Sequence, residues 1–182
     1  LDKMVDEGRK LVVPLSYGDS RLAKKLVKIG RDLFSDDFEP LMEYMPVHEY
    51  VATIKKCGYV IMNHVRQQAI GNIVIMLYLG ARVFVRNENP AYYFFKAMGV
   101  TISSIQDLHS NPKLLESPLP KEVQMLNRKI VREYWARERC IVRTKLLLDE
   151  AACKKTRVSK FNGRAAFAKK SSQSNSKNEV SL

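Results

Sequence analysis

Residues 59–100 read YVIMNHVRQQAIGNIVIMLYLGARVFVRNENPAYYFFKAMGV, and the order of their parts decides the fold. YVIMN (Tyr59 to Asn63) is a short apolar run of strand composition, HVRQQ is a polar loop, and Ile70 to Leu79 is a helix that Gly80 stops. ARVFV (Ala81 to Val85) is the next strand and RNEN the next loop. Asn89 caps a helix that Pro90 begins and that Gly99 closes after Met98, since proline suits the first helical turn and glycine the position past the end. Val100 to Ile102 is expected to be one more strand. Strand and helix alternate across short connections, the pattern of stacked βα units around a parallel sheet.

Toward the amino end, LVVPLSYG (Leu11 to Gly18) reads as a buried strand, and Asp19 or Ser20 caps the helix RLAKKLVKI, which Gly30 closes. DLF (Asp32 to Phe34) reads as a second short strand. Pro46 suits the first turn of a helix with apolar face Tyr50, Val51 and Ile54, ended by Gly58. The fold class is therefore α/β, a Rossmann-like doubly wound parallel sheet over residues 1–120. In residues 121–150, Leu126, Ile130, Tyr134, Trp135, Ile141 and Val142 recur near helical spacing, which predicts one long amphipathic helix packing back on that domain or lying on a membrane. No internal repeat is visible.

A chain of 182 residues, 46% apolar and 27% charged, has material for one ordinary domain and not for two full-sized ones. Its longest apolar stretch, Ile73 to Leu79, falls far short of the roughly 18 residues of a membrane span. Cys57, Cys140 and Cys153 show neither CxxC nor Cys/His ligand spacing, which leaves a disulfide framework or a zinc site unsupported and makes a reducing cytosol the expected compartment. The first residue is Leu1 rather than Met, so a truncated start is expected. The net charge of +12 is uneven: residues 151–182 hold eight Lys/Arg against Glu179 alone. That segment, poor in large apolar groups, is expected to be a disordered basic tail. Its charges suit an anionic membrane surface, a nucleic acid backbone or no partner beyond solvent.

Ligands of open parallel α/β sheets sit at the carboxyl ends of the strands. The sequence puts Ser16, Tyr17, Gly18 and Asp19 after the first strand, His64 to Gln68 after Asn63, and Arg86, Asn87, Glu88 and Asn89 after Val85. These are donors and amides, with Arg66 and Arg86 suited to phosphate oxygens. Gly71 and Asn72 open an apolar helix, where backbone N–H groups and the helix dipole favour an anion. Glu88 either holds a sugar hydroxyl or pairs with Arg86. Neither GxxxxGK[ST] nor GxGxxG is present, so nothing supports an ATPase or a nicotinamide enzyme. Asp36 and Asp37 read as turn and cap residues rather than magnesium ligands, and His48 and His64 as surface or capping histidines.

The order strand, Arg66-Gln67-Gln68, Gly71, helix, strand, Asn87-Glu88-Asn89-Pro90, with LVVPLSYGD upstream, resembles the carboxyl-terminal half of the bacterial TDP-N-acetylfucosamine:lipid II N-acetylfucosaminyltransferase family. The resemblance spans Leu11 to Leu108. It implies a 4-alpha-L-fucosyltransferase-like enzyme of GT-B architecture, in which two Rossmann-like domains face each other and the carboxyl-terminal one holds the sugar nucleotide. By position it implies that Arg66, Gln67, Gln68, Gly71, Asn87, Glu88 and Asn89 bind the donor. Tyr17, Gly18, Asn63 and Asn72 join them as candidates from the same rim. Asn72 stands where the family has a small hydroxyl residue, and Gly18-Asp19 where it has a Pro-rich loop. The implied reaction moves 4-acetamido-4,6-dideoxygalactose from TDP to a polyprenyl-diphosphate-linked acceptor, peripherally on the cytoplasmic face of the inner membrane, with no cofactor. The amino-terminal acceptor domain is expected to be missing from this chain. The competing readings are a noncatalytic basic α/β adaptor and a nucleic-acid-binding module.

Overall fold

The computed structural model describes residues 8–153. The basic segment from residue 154 onward, expected to be disordered, lies outside the described residues, while 151–153 continue a helix. The elements run β1 (Leu11–Pro14), α1 (Ser20–Phe34), a 3-10 turn (Ser35–Asp37), β2 (Phe38–Leu41), α2 (Val47–Ile54), β3 (Tyr59–Met62), α3 (Ile70–Leu79), β4 (Arg82–Val85), α4 (Pro90–Ala97), β5 (Ser103–Ser104), α5 (Ile105–Ser110), a second 3-10 turn (Pro112–Leu115) and α6 (Lys121–Tyr134). A seventh helix, α7, occupies 137–153. Strand and helix alternate as expected, and every strand pairing is parallel.

The strands form two hydrogen-bonded groups, β1-β2 and β3-β4-β5, where one continuous sheet was expected. The reason lies partly in Pro14. Leu15 donates to the Leu41 carbonyl at 2.8 Å, so odd positions of β1 face β2 and even positions face away. Pro14 is an even position with no N–H, which removes one of the two donors this four-residue strand offers a second neighbour. Pro40 likewise turns its missing donor outward, the place a sheet edge tolerates. The amino ends of β1 and β3 nevertheless lie together, with the Arg9 guanidinium 5.4 Å from the Tyr59 ring centroid.

The core is centred on β4, where Val83, Phe84 and Val85 are all fully buried. Alternation sends Phe84 to one face, against Ile105, Leu108 and Leu115, and its neighbours to the other. Around them lie Ile73, Met76 and Leu77 of α3 and Phe95 of α4. By contrast α1 buries only Ala23 and Gly30, and Leu22, Leu26, Ile29 and Leu33 stay exposed.

Five expectations about element limits are corrected. Gly30 does not close α1: the helix runs on through DLF to Phe34, and the second strand begins at Phe38. A Cβ at Gly30 would collide with the Phe38 ring, so the glycine serves close packing of helix on strand. Val100 to Ile102 is not a strand, because the Asn127 side chain accepts from Thr101 N–H (2.8 Å) and donates to its carbonyl (2.9 Å), occupying the groups a ladder would use. Strand pairing starts only at Ser103. The first strand stops at Pro14, short of Gly18, and α2 stops at Ile54, ahead of Gly58.

The single helix expected over 121–150 is broken at Trp135 and Ala136. The carbonyl that the break frees on Tyr134 accepts from Arg143 Nη2 at 2.9 Å, and the same guanidinium lies 4.2 Å from the Tyr134 ring centroid. The chain divides at this point into two compact units, Leu1–Glu133 and Tyr134–Leu182. Within the first unit, α6 is held by Asn127 and by Arg128 Nε, which donates to the Tyr78 carbonyl at 2.7 Å. No helix among the described residues is long and apolar enough to cross a membrane.

Candidate functional site

The register pairs Met62 with Val85 and Val85 with Ser104, so the loops that leave β3, β4 and β5 emerge from one edge of the sheet. Asn89 joins the first two. Its side chain is completely buried. Its Oδ1 accepts from Ala91 N–H at 2.9 Å and so caps α4, while its Nδ2 lies 3.0 Å from the His64 carbonyl, 2.9 Å from the Arg66 carbonyl and 2.8 Å from His64 Nδ1. The Asn89 backbone N–H donates to the Arg86 carbonyl at 3.0 Å. One buried residue therefore holds the main chains of both rim arginines, Arg66 and Arg86.

Because an amide nitrogen only donates, His64 Nδ1 must accept, which assigns the ring proton to Nε2. That Nε2 is shielded and has no hydrogen-bond partner. His64 is thus part of the loop's inner packing rather than a surface or capping histidine. Asn89, a predicted donor-binding residue, spends its whole side chain inside the protein and is not open to a ligand in this structure.

The second tie joins the β4 and β5 loops. Arg86 Nη2 donates to Glu88 Oε1 at 2.8 Å and its Nε to Oε2 at 3.2 Å. Gln106 Nε2 donates to the same Oε2 at 2.8 Å, and Gln106 Oε1 accepts from Asn87 N–H at 3.2 Å. Of the two sequence readings of Glu88, the structure has the pair with Arg86. These bonds, first from Arg86, then from the Glu88 backbone and from Gln106, hold the Glu88 carboxyl down to about 2. It is ionised throughout the neutral range. Gln106 was missed in the sequence because the last strand was placed too early. The Ser104–Asp107 capping box beside it, with N–H to side-chain distances of 2.9 and 2.8 Å, has a recognisable Ser-x-x-Asp spacing.

The remaining candidates fall in three places. Asn63, Arg66, Gln67 and Gln68 are exposed along the loop from β3 to α3. At the start of α3, the cap position Ala69 is left-handed (φ 53°) and no side chain caps the helix. Gly71 is exposed, and a Cβ built there would meet nothing within 4 Å. The first turn of this ten-residue helix thus has N–H groups that no side chain caps. Asn72 turns instead toward the Tyr50 hydroxyl of α2. Burial raises the Tyr50 pKa, the nearby Cys57 adds to the rise, and the Asn72 side chain opposes it. Tyr17 and Gly18 follow β1, on the other hydrogen-bonded pair of strands; Tyr17 is 99% exposed and Gly18 has φ 110°.

Asp37 Oδ2 accepts from Gly8 N–H at 2.9 Å, a turn role. Among the described residues no group of three His, Cys, Asp or Glu side chains could hold a metal ion.

A parallel α/β edge with two arginines and an uncapped helix start has the groups that suit an anion such as a phosphate. Residues 1–118 match the family model described as 4-alpha-L-fucosyltransferase glycosyl transferase group 56, and the chain belongs to that family. It therefore carries a glycosyltransferase domain, and a fucosyltransferase family implies a nucleotide-sugar donor and an acceptor. The match includes the whole rim through Gln106 and stops before α6. No curated protein and no solved structure matched the chain.

Proposed function

We propose that this chain is the donor-binding domain of a GT-B glycosyltransferase with a doubly wound Rossmann-like fold. It transfers 4-acetamido-4,6-dideoxygalactose from TDP to a polyprenyl-diphosphate-linked acceptor. The observation that carries this reading is the exposed Arg66 loop running into the uncapped start of α3. In glycosyl transfer the leaving diphosphate gains charge in the transition state. An arginine and a helix N-terminus stabilise that charge with groups already in place. Gln67 and Gln68, next along the loop, take sugar or ribose hydroxyls. In a GT-B enzyme the acceptor is held by a second domain facing this edge.

Calorimetric titration of TDP tests the reading. Arg66→Ala weakens binding by about 2 kcal/mol, in the range of charge-assisted hydrogen bonds, and leaves folding nearly intact because the residue is exposed. Unchanged affinity, or binding that requires magnesium, overturns it.

The reading extends to place. The eight Lys/Arg of residues 151–182 supply attraction to an anionic leaflet, at about 1 kcal/mol per cation near the surface, and support peripheral attachment to the cytoplasmic face of the inner membrane. Co-sedimentation with anionic liposomes falls when these residues are deleted and when salt is raised. Equal binding of the two chains at low salt overturns the attachment.

A further inference from the structure

The clamp on Arg86 points beyond a polar rim. A half-exposed ion pair contributes little stability by itself, yet here it is built with three residues from two strand ends. Glu88 grips the Nε and Nη2 edge of the guanidinium, and Gln106 fixes Glu88 from the β5 side while also taking the Asn87 N–H. The grip uses two of the five guanidinium N–H groups and leaves three, two of them side by side on the Nη1–Nη2 edge. The Glu88 carboxylate, by contrast, already accepts three side-chain hydrogen bonds and faces its own backbone N–H, so it has little capacity left for a sugar hydroxyl. Arg86 itself is rooted on β4 by the buried Val85 and by the Asn89 N–H on its carbonyl, beside the tethered main chain of Arg66.

We infer that Arg86 is a second cationic contact for the donor diphosphate, and that Glu88 and Gln106 are positioning residues that aim its free edge rather than groups that touch the donor. The inference rests on the donor-site reading above and assigns roles within it. Holding the fork in one orientation beforehand removes the side-chain ordering cost that a free arginine meets on binding.

The test is titration of the full chain with TDP and with TMP. Arg86→Ala weakens TDP about tenfold and TMP much less, and Arg86→Lys recovers little because it lacks the fork. Glu88→Gln weakens TDP about threefold in the wild type and has no further effect in Arg86→Ala, because a positioning residue acts only through the group it positions. Additive effects of the two substitutions would show Glu88 touching the donor and overturn the assignment. So would equal losses for TMP and TDP. Wild-type affinity in Arg86→Ala with a loss in Arg66→Ala refutes this inference alone. Wild-type affinity in both variants, or a wild type that fails to bind TDP, refutes the donor site itself. Thermal unfolding of each variant separates a lost contact from a lost fold.

Discussion

The Asn89 side chain donates to the carbonyl of Arg66 at 2.9 Å from a fully buried position, so the loop that carries the rim arginine is anchored by the residue that starts the next helix but one. Asn89→Ala removes both the α4 cap and the support of two loop carbonyls. A lost cap costs about 0.5–2 kcal/mol and stranded buried groups about 1–3 kcal/mol, so a loss of roughly 2–4 kcal/mol is expected in urea denaturation. Asn89→Asp keeps the cap oxygen and sets a carboxylate against two carbonyls. It is therefore also destabilising.

Gly71→Ala separates fold from function. An alanine there meets no atom within 4 Å and suits a helix better than glycine, so stability is unchanged or rises by up to about 1 kcal/mol. The methyl group stands in the space above the first turn of α3, where the proposed diphosphate lies. TDP affinity measured by calorimetry falls while the unfolding midpoint does not.

Asn127→Leu tests the substitute for a strand. The leucine fills the buried site but leaves the Thr101 N–H and carbonyl without their partners, at about 1–3 kcal/mol for each stranded group. A total loss of roughly 2–6 kcal/mol is expected in denaturant unfolding.

Acid should weaken the rim before the core. Glu88 is held down to about 2 from an ordinary 4.5, chiefly by Arg86, and Asp107 is lowered by the Ser104 N–H. A depressed folded-state pKa means a contribution present above the unfolded value and lost as pH falls through the folded one. Stability owed to Glu88 is therefore flat from pH 8 to about 5 and declines between about 4.5 and 2, and the part owed to Asp107 is likewise lost toward acid. Unfolding midpoints followed across that range show the decline, and Glu88→Gln makes it shallower.

What could be read in advance was what local chemistry decides. Gly80, at φ 92° past the end of α3, and the Asn89-Pro90 start of α4 marked helix limits that the structure keeps. Gly30, Thr101 and Trp135 misled because their roles are set by residues distant in sequence or by a break with no proline or glycine to signal it. Phe38 needs a glycine to pack on, and Asn127 takes the Thr101 backbone. The rim shows the same division. Asn89 was legible as a cap and Arg66 as an exposed donor, whereas the binding of two loops by Asn89 and the grip of Gln106 on Glu88 depend on strand register.

The separation of the strands into two hydrogen-bonded groups has a consequence for how the molecule breathes. Amides of β1 and β2 belong to a two-stranded ladder backed by a helix that buries only Ala23 and Gly30, so they exchange with solvent deuterium through small local openings. Amides of β4, flanked by a strand on each side and buried along Val83, Phe84 and Val85, exchange only when the whole unit opens. The edge that bears Arg66, Arg86 and Gln106 is therefore carried by the slower-exchanging of the two strand groups. A nucleotide bound there would meet an edge that keeps its shape while the β1-β2 pair opens and recloses.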